Sequence, residues 1–121
     1  MPVLYVSGIP KVNRPSQPAL LEHATSLKMA VAHRLHIAPS VVTVFFPVDC
    51  LIEGLGEELI CRVEGLFENE ERTTEIRQKL ADDITSILAD FAKKYIPQCQ
   101  LVEAAIGRFD QNTDGFSSRT L

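Results

Sequence analysis

Two stretches decide the fold: Val3-Leu4-Tyr5-Val6-Ser7-Gly8-Ile9, and Leu59-Ile60-Cys61-Arg62-Val63-Glu64-Gly65-Leu66. Each is a short run rich in Val, Leu, Ile and Tyr that stops at a glycine, which reads as a strand with a sharp exit. A polar segment holding one arginine follows in both copies, Asn13-Arg14-Pro15-Ser16 and Asn69-Glu70-Glu71-Arg72. Ser16 with Pro18 behind it suits a helix N-cap and first turn, and Asn69 with two glutamates behind it suits the positive end of a helix dipole. Apolar residues then recur at helical spacing, as Leu20, Ala24, Leu27, Val31, Leu35 and as Leu80, Ile84, Ile87, Phe91, Tyr95. Each set is one stripe on a helix lying against a sheet. Lys28, Arg34, Lys79 and Lys93 fall on the solvated side. Pro39 and Pro97 close the helices, and Val41 to Phe46 and Leu101 to Ile106 read as strands.

The chain is therefore a weak internal repeat, offset by 57 at the glycine (Gly8 to Gly65), 60 in the helix (Leu20 to Leu80) and 58 at the proline (Pro39 to Pro97). Unit one spans 1–46, a linker with turn signals at Pro47, Asp49, Gly54 and Gly56 spans 47–58, unit two spans 59–107, and a tail spans 108–121. Strand, helix and strand in order favour a parallel pair with a right-handed crossover. The expected fold is α+β: a two-layer sandwich of duplicated β-α-β units, with a four-stranded mixed sheet and two helices on one face. The other sheet face is then left bare. It is expected to hold Val3, Tyr5, Val42, Val44, Leu101 and Glu103, and a partly apolar face of that kind meets another subunit.

Composition narrows the function. The 121 residues form one domain, 45% apolar and 23% charged, as in an ordinary globular protein. Twelve Lys and Arg against sixteen Asp and Glu give a net charge of −4, which argues against nucleic acid as partner. No run approaches the ~18 apolar residues of a membrane span, and the N-terminus does not read as a signal peptide, so a cytoplasmic protein is expected. Cys50, Cys61 and Cys99 are odd in number and scattered, and read as reduced thiols rather than a disulfide or zinc framework. His23, His33 and His36 fall on the first helix. His33 and His36 are spaced i, i+3 but have no acidic or thiol companion, so the three read as solvent-exposed and no metal is expected.

A duplicated β-α-β unit opening with Met1-Pro2 resembles the tautomerase superfamily. That group holds the short 4-oxalocrotonate tautomerases and the longer trimeric macrophage migration inhibitory factor and 5-carboxymethyl-2-hydroxymuconate isomerase families. Pro2-Val3-Leu4-Tyr5-Val6 looks like the first strand of these proteins. Phe46-Pro47-Val48-Asp49, with Gly54 and Gly56 after it, is similar to the segment following strand two in the inhibitory-factor family. Glu71-Arg72-Thr73-Thr74-Glu75-Ile76-Arg77-Gln78 looks like the second helix start of the isomerase family, and Phe109-Asp110-Gln111-Asn112 echoes the tail of the long members. The resemblance implies a homotrimer, a small acidic substrate, no cofactor, and Pro2 as catalytic base.

The chemistry follows from the residues. Removal of Met1 leaves Pro2 a secondary amine, and a free α-amino group has a reference pKa of about 7.7–8.0. An apolar pocket or a neighbouring cation lowers that value, so the neutral amine can take a proton alpha to a carbonyl and return it elsewhere. An arginine would grip the substrate carboxylate and polarise the enol oxygen. Arg14 and Arg72, equivalent in the repeat, resemble the family's arginines in that place. Arg62, inside the third strand, is a further candidate. The chain departs from the family at Val44, where the short members carry a second arginine, and at Ile37, where the inhibitory-factor family carries a lysine. The alternatives are a non-catalytic trimeric binding or interaction protein on the same scaffold, and a ferredoxin-like interaction domain without a pocket. The tail from Gln111 to Leu121 reads either as unstructured or as a short strand against a neighbour around Phe116.

Overall fold

A computed structural model describes residues 2–48, 57–67, 69–110 and 113–121. The elements are β1 (Val3–Ser7), α1 (Gln17–Leu35), a 3-10 turn (Pro39–Val41), β2 (Thr43–Phe45), β3 (Glu58–Glu64), α2 (Thr74–Tyr95) and β4 (Leu101–Ile106). The strands form one mixed sheet in the order β2-β1-β3-β4. Each unit supplies a parallel pair, β1 with β2 and β3 with β4, and the units meet where β1 runs antiparallel to β3. This is the expected α+β sandwich.

The helix ends show how local chemistry sets the boundaries. The Ser16 hydroxyl accepts from the Ala19 N–H at 3.2 Å, with Pro18 in the first turn, as its sequence implies. The cap of α2 is Thr73 instead of Asn69, its hydroxyl accepting from the Ile76 N–H at 3.2 Å. Asn69 closes a tight turn one step earlier, accepting the Glu71 N–H on its side chain at 2.8 Å. At its far end α1 stops on His36, a left-handed cap residue, and Pro39 opens a 3-10 turn. That turn consumes the backbone donors of Val41 and Val42, so β2 is shorter than the run Val41 to Phe46 implies.

Leu4 and Val6 of β1 and Leu59, Cys61 and Val63 of β3 point at the helices, which answer with Leu27, Val31, Leu80, Ile84 and Leu88. Each such side chain contributes roughly 1.5–3 kcal/mol on burial. Burial pushes the Cys61 thiol up to about 12, so it stays a protonated core residue. Cys99 is half-buried, and Cys50 lies outside the described residues. The helices run antiparallel and are stapled at one end, where the Arg34 guanidinium donates to both Asp83 carboxylate oxygens at 2.5 and 3.1 Å. That hydrogen bond holds the Asp83 carboxyl below its ordinary range.

Two expectations change. Val42 and Val44 lie on the helix side, because β2 alternates with Thr43 and Phe45 outward, so the bare face holds Val3, Tyr5, Phe45, Ile60, Arg62, Glu64, Leu101 and Glu103. His23 is not solvent-exposed but 4% accessible, its ring stacked on Phe91 at 4.0 Å. No helix among the described residues is long and apolar enough to cross a membrane.

Candidate functional site

The antiparallel meeting of β1 and β3 decides which ends come together. Val3 pairs with Glu64, and Val63 pairs with Ile106, so the start of β1 lies beside the finishes of β3 and β4. Pro2 sits at that start, buried, its carbonyl accepting from the Thr43 N–H at 3.2 Å. Beyond β3 and β4, at the same sheet end, is a cavity of about 360 Å³ lined by Glu64, Gly65, Phe67, Arg108, Phe109 and Phe116. Pro2 is next to this cavity in the strand register but is not among its lining residues.

The apolar wall is a cluster of three rings. Phe67 and Phe109 are 5.7 Å apart, and Phe116 meets Phe67 edge-on at 4.8 Å. Backbone bonding explains the first pair: the Phe109 N–H donates to the Leu66 carbonyl at 3.1 Å, extending the parallel ladder past the strands. The tail brings Phe116 back to them. No strand forms around it among the described residues, and the ring is 53% exposed.

The loop between β3 and α2 is tied to this wall by two arginines. The Arg72 guanidinium donates to the Phe67 carbonyl at 3.0 Å. Arg77 donates to the Arg72 carbonyl at 3.2 Å and to the Gly107 carbonyl at 2.9 Å, joining the loop to the end of β4. Arg77 is only 7% exposed, so these charge-assisted bonds replace the water it has lost.

The three proposed arginines do not converge in one chain. Arg72 is at the Pro2 end. Arg14 precedes α1, on the Ser7 side, because the repeat is turned over where β1 meets β3. Arg62 is on the bare sheet face, paired with Glu64 at 3.3 Å and lying over the Tyr5 ring at 5.4 Å. Two residues were missed. Arg108 lines the cavity, and nothing in its local sequence marks it. Arg77 does carry a signal: it is a cation three residues before Leu80, on the stripe that faces the core. Among the described residues no group of three or more His, Cys, Asp or Glu side chains is arranged to hold a metal.

Compared by sequence, the chain matches no protein-family model and no curated protein. Compared by structure it is similar to a fused 4-OT wild-type symmetric trimer, at 15% identity and a TM-score of 0.67 over 95% of this chain and 94% of that one. A macrophage migration inhibitory factor-like protein from Entamoeba histolytica superposes at 10% identity and 0.64, over 99% and 98%. A protein captured as inactivated by 2-oxo-3-pentynoate does so at 13% and 0.61, over 96% and 90%. The chain thus has the tautomerase/MIF fold that its duplicated unit and opening Met1-Pro2 resemble.

Proposed function

We propose that this protein is a cofactor-independent tautomerase or isomerase that moves a proton within small 2-oxo or enol acids. Pro2, freed by removal of Met1, is the base. The observation that carries the reading is a buried Pro2 at the sheet end where, among the described residues, an aromatic cavity opens beside an arginine. Burial of Pro2 favours the neutral amine over the ammonium, and Phe67, Phe109 and Phe116 give the adjoining cavity an apolar wall. The neutral amine takes the proton from the carbon, or from the enol oxygen in the reverse sense, and returns it at the other position. Arg108, which lines the cavity, and Arg72, tied to the Phe67 carbonyl at its wall, are the cations assigned to the substrate carboxylate and the developing oxyanion.

The bare sheet face supports self-association. Val3, Tyr5, Phe45, Ile60 and Leu101 give it an apolar centre, and Arg62, Glu64 and Glu103 can pair across copies. The proposed assembly is a homotrimer, as in the fused 4-OT structure, and assembly is the route by which Arg14 or Arg62 would reach a neighbour's Pro2. A second reading, a non-catalytic trimer that binds a small acid, is favoured by one detail: Arg72 already spends a guanidinium N–H on the Phe67 carbonyl.

Ketonisation of phenylenolpyruvate and 2-hydroxymuconate by untagged protein of verified N-terminal mass tests the reading. Loss of general acid-base catalysis predicts that Pro2→Ala falls about 10²–10⁴-fold in kcat/KM. Wild-type rates equal to those of Pro2→Ala would leave the binding protein as the function.

A further inference from the structure

The helix offset of 60 matches Arg34 to Lys94 and Asp83 to His23, so the two ends of the helix pair are counterparts. At one end a guanidinium donates to a carboxylate and holds the helices together. At the other, the counterpart of the carboxylate is a buried imidazole, and the counterpart cation is drawn over the Tyr95 ring, with Lys94 Nζ 5.2 Å from its centroid. There the helices are separated by a groove of about 200 Å³ lined by Glu22, His23, Ser26, Asp90, Lys94 and Tyr95, among others.

His23 stacks on Phe91, with Phe46 at 6.0 Å, and its Nε2 has no hydrogen-bond partner among the described residues. A buried polar atom left this way costs about 1–3 kcal/mol. Burial lowers the imidazole pKa to about 4, so at neutral pH the ring is uncharged and one nitrogen is an acceptor. The rim adds two carboxylates, Glu22 and Asp90, neither in an ion pair among the described residues, against the single ammonium of Lys94. What the opposite end has and this end lacks, among the described residues, is a cation that donates from one helix to the other, since Lys94 lies over Tyr95 of its own helix.

We propose that this groove is a binding site for a small organic ammonium ion with an apolar or aromatic body, its N–H groups directed to His23 and its charge balanced by Glu22 and Asp90. The body lies against Ile87 and Tyr95. The volume is below the roughly 300–1,000 Å³ of drug-sized pockets, which limits the ligand to a simple monoamine. The site is at the Ser7 end of the sheet, away from Pro2, and stands or falls independently of the proposed tautomerase activity.

Benzylamine is the probe, with benzyl alcohol and benzoate as controls, read from the His23 ring nitrogen and backbone amide signals at pH 7. Benzylamine is expected to shift them saturably, and Glu22→Gln with Asp90→Asn to weaken its binding about tenfold. His23→Phe, which keeps the stack on Phe91, is expected to weaken it several-fold as read from neighbouring amides. Both carboxamide positions are on the helix surface, so that pair decides the matter even where the His23 variant does not fold. Equal saturation by benzyl alcohol, unchanged affinity in the carboxamide variant, or no saturable shift would overturn the site. So would shifts abolished by Lys94→Met, which would make Lys94 itself the donor.

Discussion

After its glycine turn, unit one continues as Ile9-Pro10 and reaches a helix through Arg14; unit two continues as Leu66-Phe67 and reaches its helix through Arg72. In unit one the helix is followed by a 3-10 turn and a three-residue strand, and in unit two by a six-residue strand whose extension carries Arg108 and Phe109. Among the described residues, only the second loop is bound to the sheet end by arginine-to-carbonyl bonds, and only there do three phenylalanines gather. Because β1 and β3 are antiparallel, that elaborated end of unit two is the end where unit one begins. In the proposed reading a duplicated plan becomes one asymmetric site, with the first copy supplying the Pro2 nitrogen and the second the adjoining cavity.

The glycines give the sharpest way to break this comparison. Gly8 and Gly65 both have positive φ, +101° and +77°. A Cβ on Gly8 would also lie 2.0 Å from the Glu58 carbonyl oxygen. Gly8→Ala should therefore cost more than about 3 kcal/mol, strain and backbone clash together. Gly65→Ala should cost about 1–2 kcal/mol in backbone strain. Urea midpoints at constant slope would measure both, and equal losses would show that the two turns are under the same constraint.

Next in size is the acid response of the helix pair. His23 has a folded pKa of about 4 against 6.5 for the free side chain, so between those values the unfolded chain binds more protons. Stability is then fully present above about pH 6.5, falls as the pH drops, and levels off below about pH 4, with a loss of about 3 kcal/mol. His23→Phe should flatten that part of the curve; an unchanged slope would move the effect to another group. The smallest contrast is between arginines. Arg77→Met should cost about 2 kcal/mol, since two charge-assisted hydrogen bonds made by a buried guanidinium are lost. Arg34→Met removes a solvent-screened pair, so its smaller effect should shrink further in high salt.

The sequence carried the fold in local signals. Gly8 and Gly65, Ser16, and the run Leu101 to Ile106 each behave as their chemistry dictates, because turns, caps and a six-residue alternating strand are set by near neighbours. Where two caps compete, as with Asn69 and Thr73, the choice depends on where the loop is anchored. The site was less legible. The repeat made Arg14 and Arg72 equivalent, yet strand direction between units, a long-range property, put them at opposite ends. Phe67, Phe109 and Phe116 are far apart in sequence and meet only through the register of β3 with β4 and the return of the tail. The lack of ligand companions says nothing of burial, and the better signal for His23 is its place four residues before Leu27 on the buried stripe.

The account rests on the state of one nitrogen, which a titration of ¹⁵N-labelled Pro2 in the Met1-processed chain would follow directly. The prediction is an apparent pKa below the ~7.7–8.0 of a free α-amino group, with a further change in the Pro2 signal when a 2-oxo acid is added. A value at or above that reference, with a signal indifferent to the acid, would contradict it.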